Sequence, residues 1–112
     1  MESILNAVKK ASNIGIDNRD FDAEVILYTN GVLWRIAEAG VGRAGFSIHD
    51  ENQTWSDFVG EQTDCMEGVK TYVCIKVKLI FDPPTSTAVL ESMNRIVNEY
   101  EWLLNARGDK TC

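Results

Sequence analysis

The sequence predicts an all-α protein: a small bundle of about four helices with a long C-terminal helix and a minor β-hairpin or ordered loop near residues 45–58. Apolar residues recur with helical spacing in four segments of the 112-residue chain, the pattern of helices that bury one face. Glycine or proline residues separate those segments. A chain of this length builds a single core, so we expect one domain over residues 1–112, with a loose tail at about residues 108–112.

The first helix is predicted over residues 3–13. Gly15 lies just past the last periodic residue, and we expect it to end this helix. The predicted buried stripe consists of Ile4, Leu5, Val8 and Ala11.

The second helix is predicted from about Asp20 to Gly40. Asp20 is the best N-cap candidate, and Asp22 and Glu24 in the first turn favour the positive end of the helix dipole. Gly31 costs about 1 kcal/mol relative to alanine, so we expect either a close approach of another backbone or a slight bend there. The apolar positions with helical spacing are Ala23, Ile26, Val32, Leu33, Ile36 and Ala37.

The segment from Val41 to Gly60 changes character. Phe46 and Ile48 alternate with polar residues, a polar turn follows, and β-prone residues resume around Trp55. This pattern indicates a small hairpin or an ordered loop. A two-stranded hairpin is marginal alone, so we expect Phe46, Trp55 and Phe58 to dock it on the helices.

Two further helices complete the prediction. The third, over residues 64–81, has a broad apolar face that suits the central helix of a bundle; its stripe is Met66, Val69, Val73 and Ile80, with Tyr72, Ile75 and Leu79 beside it. Pro83 and Pro84 end it. The last helix is predicted to run from residue 85 to about Ala106, with Gly108 as its stop. Its stripe approaches a seven-residue repeat and comprises Val89, Met93, Ile96, Val97, Tyr100, Leu103 and Leu104.

The charge balance limits the partners. A net charge of −6 argues against a protein that holds nucleic acid through its phosphates, because that affinity comes largely from Lys and Arg. It also disfavours an anionic membrane surface, and no apolar run approaches the roughly twenty residues that span a bilayer. The first residues lack the order of charges of a secretory signal, so we expect synthesis and assembly in the cytoplasm.

Groups suited to catalysis or metal binding are few. His49, beside Asp50 and Glu51, has the composition of a general base or a metal ligand, but a single histidine in a polar turn is more often simply exposed. Asp20, Asp22 and Glu24 have the spacing of a metal loop without its glycine and distal glutamate. No catalytic residue, metal site or cofactor is therefore predicted.

Three glycines and three tryptophans are further candidates for ligand sites. Gly40, Gly42 and Gly45 resemble a phosphate-binding loop, but no preceding strand and no lysine followed by Ser or Thr accompany them. Tryptophans can stack on bases, but the acidic balance favours core packing or a protein interface for Trp34, Trp55 and Trp102.

Two stretches together resemble the head–tail connector, or adaptor, proteins of long-tailed bacteriophages and prophages. They are "GFSIHDENQTWSDFVG" (45–60) and "VKTYVCIKVKLIFDPPTSTAVLESMNRIVNEYEWLLN" (69–105). The ordered set of Trp-Ser-Asp-Phe (55–58), Phe-Asp-Pro-Pro (81–84) and Glu-x-Glu-Trp (99–102) carries the resemblance, which covers most of the chain. Relatives often have arginine where this sequence has Leu103.

The resemblance implies an all-helical structural subunit of the virion that forms a ring, typically twelvefold, beneath the portal vertex of the capsid. Its implied partners are copies of itself, the portal protein, and a stopper or tail-completion protein, while DNA passes through the ring without specific binding and no membrane is involved. The chain would lie in the neck of the particle, between head and tail.

Two sets of residues are the expected contacts. The end of the last helix, with Trp102, Leu103, Leu104 and Arg107, is expected to engage the portal. The segment around Phe46, Ile48, Trp55 and Phe58 is expected to shape a loop that faces the ring or the tail. Packing of these aromatic residues into the chain's own core is the competing interpretation.

Two other functions remain open at this point. A small acidic regulatory protein that dimerises through the last helix would show the same heptad-like stripe. An enzyme that uses His49 would lose its activity on His49→Ala, whereas a connector would still assemble.

Overall fold

The computed structural model describes residues 2–109, and the side chains of residues 2–106. Within this part the chain folds into five α-helices: α1 (Ile4–Ala11), α2 (Asp22–Glu38), α3 (Trp55–Val59), α4 (Met66–Phe81) and α5 (Thr87–Asp109). A 3₁₀ turn, Thr63–Cys65, leads directly into α4. The described residues contain no strand, only an isolated bridge between Ser3 and Thr54, so the predicted all-α class is confirmed.

Helix α4 is the centre of the bundle, as predicted. It packs against α1, α2, α3 and α5, and Val69, Val73 and Val77 on it are completely buried. The predicted stripe is wrong at Ile80, which is 48% exposed. The buried row repeats every four residues, so Phe81 continues it and packs edge-on against Phe21.

The ends of α1 and α2 show how local sequence sets their lengths. Helix α1 ends before Asn13, whose φ of 63° turns the chain, while the N–H of Ile14 returns to the carbonyl of Lys9 at 2.8 Å. The prediction that Gly15 ends α1 is therefore wrong, because Asn13 already supplies the left-handed residue. Gly40, with φ of 98°, has this role after α2, as predicted.

The start of α2 differs from the prediction. The helix begins at Asp22, and the residue in the N-cap position is Phe21, which makes no side-chain cap. Asp20 is therefore not the N-cap. The acids Asp22 and Glu24 do lie in the first turn, where they complement the helix dipole.

The predicted hairpin is wrong, and the alternative of an ordered loop describes residues 41–54. Trp55 begins a short helix instead of a strand because Thr54 and Asp57 form a capping box: the Thr54 hydroxyl accepts from the Asp57 N–H at 3.2 Å, and the Asp57 carboxylate accepts from the Thr54 N–H at 2.9 Å. These reciprocal bonds outweigh the β-propensity of Thr54 and Trp55.

Helix α5 follows the break at Pro83 and Pro84 and packs mainly on α4. It extends to Asp109, three residues past the predicted end at Ala106, so Gly108 does not stop it. Residues 110–112 of the predicted tail lie outside the described residues. Only two of its described side chains, Val97 and Leu104, are buried, so most of this long helix projects its side chains away from the core.

Candidate protein interface

His49 belongs to a turn that its neighbours stabilise. The side-chain oxygen of Gln53 accepts the backbone N–H groups of both His49 and Asp50, at 2.9 and 3.1 Å. The imidazole is largely exposed, and its Nε2 lies 3.2 Å from the Gln53 amide nitrogen. Several hydrogen bonds lower the pKa of Asp50, and the bond donated by the backbone N–H of Asn52 has the largest effect. These contacts account for the polar residues of the turn without a substrate.

The acids at the start of α2 have structural partners. Asp22 Oδ1 lies 2.8 Å from Nζ of Lys9, whose side chain is fully buried, and Oδ2 lies 3.2 Å from Arg19. Burial by itself raises the pKa of Asp22, but the bonds from Lys9 and Arg19 outweigh it and lower the pKa overall. In the part of the chain that the structure describes, no three His, Cys, Asp or Glu side chains are grouped to hold a metal ion.

Packing explains the glycine-rich segment and also a cysteine of α4, Cys74. Burial is the main cause that raises the pKa of the Cys74 thiol to about 11, so it stays protonated near neutral pH. Gly42 has a φ of 86° and lies directly against the ring of Phe58, where a Cβ would overlap the ring. Its N–H donates to the side chain of Gln62 at 2.7 Å, so the glycine-rich segment supports a turn.

The structure brings the predicted loop residues together inside the fold. Ile48, Trp55 and Phe58 are at most 2% exposed, and Phe46 is half-buried with its ring centroid 5.4 Å from that of Phe58. They hold the loop from within, and they leave its outer contacts to exposed residues such as Arg43.

One side chain of α2 fixes the position of this loop. The amide group of Asn30 pairs with the backbone of Ile48 in both directions, since its oxygen accepts the N–H at 2.7 Å and its nitrogen donates to the carbonyl at 2.9 Å. The loop therefore has a set position on the bundle although it contains no regular structure.

The predicted residues at the end of α5 are divided between surface and core. Trp102 is 70% exposed and Leu103 is 41% exposed, whereas Leu104 is buried against the bundle. The side chain of Arg107 lies outside the described residues. Trp102 and Leu103 thus present apolar surface that a partner can cover.

A cluster of polar groups beside this end joins three helices. The carboxylate of Glu101 accepts a hydrogen bond from the Tyr72 hydroxyl at 2.7 Å, and the same oxygen lies 3.6 Å from Arg35 Nε and 3.7 Å from Lys76 Nζ. Burial first, and then the bond to Glu101, raise the pKa of Tyr72 far above its usual range. An open cleft of about 250 Å³ lies here, between the ends of α2 and α5.

Sequence reasoning missed a second apolar surface, on α2. Leu27 is 68% exposed and Trp34 is 63% exposed, and no atom of the described residues outside the nearby α2 backbone lies within 4 Å of the place that a Cβ on Gly31 would take. The three residues share one face because they are four and three residues apart. The spacing of these residues in the sequence could have revealed this face, but the face lies beside the larger buried stripe of α2.

The helices of the described residues include none that is long and apolar enough to cross a bilayer. Searches of curated proteins and of solved structures found no match. The family model described as phage connector protein matches residues 4–111, nearly the whole chain. The protein therefore belongs to the phage connector protein family.

Proposed function

We propose that this connector subunit forms a ring beneath the portal vertex of a phage capsid, extends the DNA channel and joins the head to the tail. Membership of a structural connector family supports a role in the virion, in association with other virion proteins. The proposed partners are copies of the same chain, the portal protein, and a stopper or tail-completion protein. The copy number of the ring is proposed to be twelve, as the resemblance implies.

The observation that carries this proposal is the exposed apolar end of α5. A largely solvated tryptophan is costly for a monomer, and buried aromatic anchors dominate many protein interfaces. Trp102 stands in the last third of a 23-residue helix that is packed on one side only. We assign Trp102 and Leu103, with Arg107 beyond the described side chains, to contact with the portal.

The loop of residues 41–54 is proposed to face the ring or the tail. Its buried residue Ile48, with Trp55 and Phe58 of α3 beside it, fixes its shape, and the paired hydrogen bonds of Asn30 hold it to α2. A loop held in this way can bind a partner with little ordering cost.

The excess of acidic residues suits a channel through which DNA slides. Basic side chains on the wall would hold the phosphates, whereas carboxylates repel them. The net charge of −6 supports an acidic wall and passage without specific binding. A ring structure whose lumen is lined by lysine would refute this part of the proposal.

Co-assembly with the portal protein tests the proposed function. We expect the chain to bind assembled portal, and Trp102→Ala to weaken that binding by at least about thirty-fold, as loss of an interface anchor does. Ile16→Ala is the control, because Ile16 is also about half exposed but lies between α1 and α2. Absence of binding by the wild-type chain, or equal loss in both variants, would count against the assignment.

A dimeric regulatory protein is the second candidate. The exposed seven-residue repeat on α5, with Val89, Ile96 and Leu103 all more than a third exposed, is also what such a dimer would use. The same experiment separates the two, since a regulatory dimer has no affinity for portal.

A further inference from the structure

Two apolar faces are left largely uncovered by the described part of the chain, and they lie on different helices. The α2 face consists of Leu27, Gly31 and Trp34. The α5 face consists of Val89, Met93, Ile96, Tyr100 and Leu103, and Leu103 at its end also belongs to the proposed portal contact. Within the α5 face Met93 and Tyr100 are partly buried. Leu27 and Trp34 are each more than 60% exposed, while Val89, Ile96 and Leu103 are between 38% and 47% exposed.

The spacing of the α5 face indicates that its partner is a helix. Its five members alternate steps of four and three residues, the repeat with which one helix packs along another. Helix α4 is not that partner for the whole face, because the side chains buried on the α4 side, Val97 and Leu104, belong to a neighbouring row. Contacts within one chain therefore cover only part of the seven-residue repeat.

The α2 face has the shape that receives a crossing helix. Gly31 forms a shallow point between two large side chains, and among the described residues no atom outside the neighbouring backbone of α2 lies within 4 Å of the position that a Cβ would occupy. A glycine in the middle of a helix costs about 1 kcal/mol relative to alanine, which is offset where it allows a second helix to come close.

The flanking charges favour contact between unlike faces. Arg35 borders the α2 face, is 67% exposed and is only loosely paired with Glu101. Glu99 borders the α5 face, three residues after Ile96, and is exposed. Packing α2 on the α5 of another copy can place Arg35 close to Glu99, whereas packing α5 on α5 in parallel places the Glu99 side chains of the two copies near each other.

We propose that the α2 face of one copy packs on the α5 face of the next copy, head to tail. Helix α4 packs against both helices, and so one chain presents the two faces on separate elements. A contact between unlike faces covers both faces of every copy with a single kind of interface, and a repeated contact of this kind forms a ring where its rotation closes. The inference rests on the proposed connector function, for which it names the surfaces between subunits.

The test uses two variants with complementary defects, observed by native mass spectrometry and sedimentation velocity over a range of concentrations. Trp34→Glu places a charge on the α2 face and leaves the α5 face unchanged. Ile96→Glu places a charge on the α5 face and leaves the α2 face unchanged. Each alone is expected to self-associate at least about thirty-fold more weakly than wild type. Mixed, they are expected to form a one-to-one dimer that does not grow, because one good pair of faces remains.

Two further variants guard against misfolding. Gly31→Ala is expected to raise the melting temperature of the monomer, since its methyl group meets open space, and to weaken association nevertheless. Ile16→Glu alters an apolar residue of similar exposure outside both faces and should associate like wild type.

Several outcomes would overturn the inference. They are a wild-type chain that stays monomeric up to its solubility limit, a Trp34→Glu variant that still associates fully, an Ile16→Glu variant that is equally defective, or a mixture that gives no dimer. Portal binding is measured separately, so failure of the portal contact and failure of the contact between copies are distinguishable.

Discussion

The hydroxyl of Tyr72 donates a 2.7 Å hydrogen bond to the carboxylate of Glu101, and this bond joins α4 to α5. Arg35 from α2 and Lys76 from α4 lie within 4 Å of the same carboxylate oxygen. The proposed portal contact follows directly in sequence, at Trp102. The orientation of the exposed end of α5 therefore depends on a polar contact that the three central helices share.

We expect Tyr72→Phe to destabilise the fold by about 1.5–3 kcal/mol, because a hydrogen bond to a charged acceptor is lost. Chemical denaturation measures this change. Tyr28→Phe is the control, since Tyr28 is partly buried and no bond of its hydroxyl is seen in the described residues. Equal losses in both variants would show that the bond to Glu101 contributes nothing.

The same pair predicts a loss of stability in alkali. The pKa of Tyr72 is raised in the folded state, so its contribution is fully present below the ordinary tyrosine pKa of about 10 and declines as the pH rises above it. Denaturation at a series of pH values above about 9 should show a smaller decline for Tyr72→Phe than for wild type. Parallel curves for the two proteins would contradict this prediction.

The buried ammonium group of Lys9 depends on Asp22. Among the described residues, Asp22→Asn leaves Lys9 with the carbonyl of Ile16, at 3.0 Å, as its remaining partner, so we expect a loss near the lower end of the roughly 3–5 kcal/mol that breaking a buried ion pair costs. Asp17→Asn, at an exposed site, should change the free energy of unfolding by less than about 0.5 kcal/mol.

Protonation of the Asp22 carboxylate should also reduce the stability of the fold in acid. The folded-state pKa of Asp22 is lowered, so its contribution is present above the ordinary aspartate pKa of about 4 and is lost as the pH falls below it. Wild type should therefore lose more stability than Asp22→Asn as the pH falls from about 5 to about 2. A variant as acid-sensitive as wild type would exclude this role.

Gly42 tests the packing of the loop against α3. Gly42→Ala is expected to destabilise the fold by about 2 kcal/mol or more, because the new methyl group overlaps the ring of Phe58. Gly45→Ala has a similar positive φ but open space around it, and should cost only about 1 kcal/mol of backbone strain. The difference between the two melting temperatures isolates the ring contact.

Asn30 tests the anchoring of the loop to α2. Asn30→Ala removes both bonds to Ile48, so we expect a loss of about 1–3 kcal/mol and faster amide hydrogen exchange in residues 46–50. Asn30→Asp keeps the acceptor and removes the donor, and should give an intermediate loss. Unchanged exchange in Asn30→Ala would mean that core packing alone positions the loop.

Local signals in the sequence were sufficient for the helical class, the four long helices and the central place of α4, because the periodicity of apolar residues and the glycine and proline breaks need no knowledge of distant contacts. Three short motifs also indicated the family. The same signals did not reveal α3, whose capping box of Thr54 and Asp57 lies among β-prone residues, or the early end of α1 at Asn13. Those errors arose where two local preferences competed.

Which apolar residues remain exposed depended on how the helices pack. Trp34, Trp55 and Trp102 are alike in the sequence, yet Trp55 is buried while the other two are largely exposed. Helical spacing assigns a residue to a face of its helix, but exposure depends on which faces the other helices cover. The two uncovered faces on α2 and α5 therefore emerged only once α4 was seen to pack with both helices and to leave one side of each open.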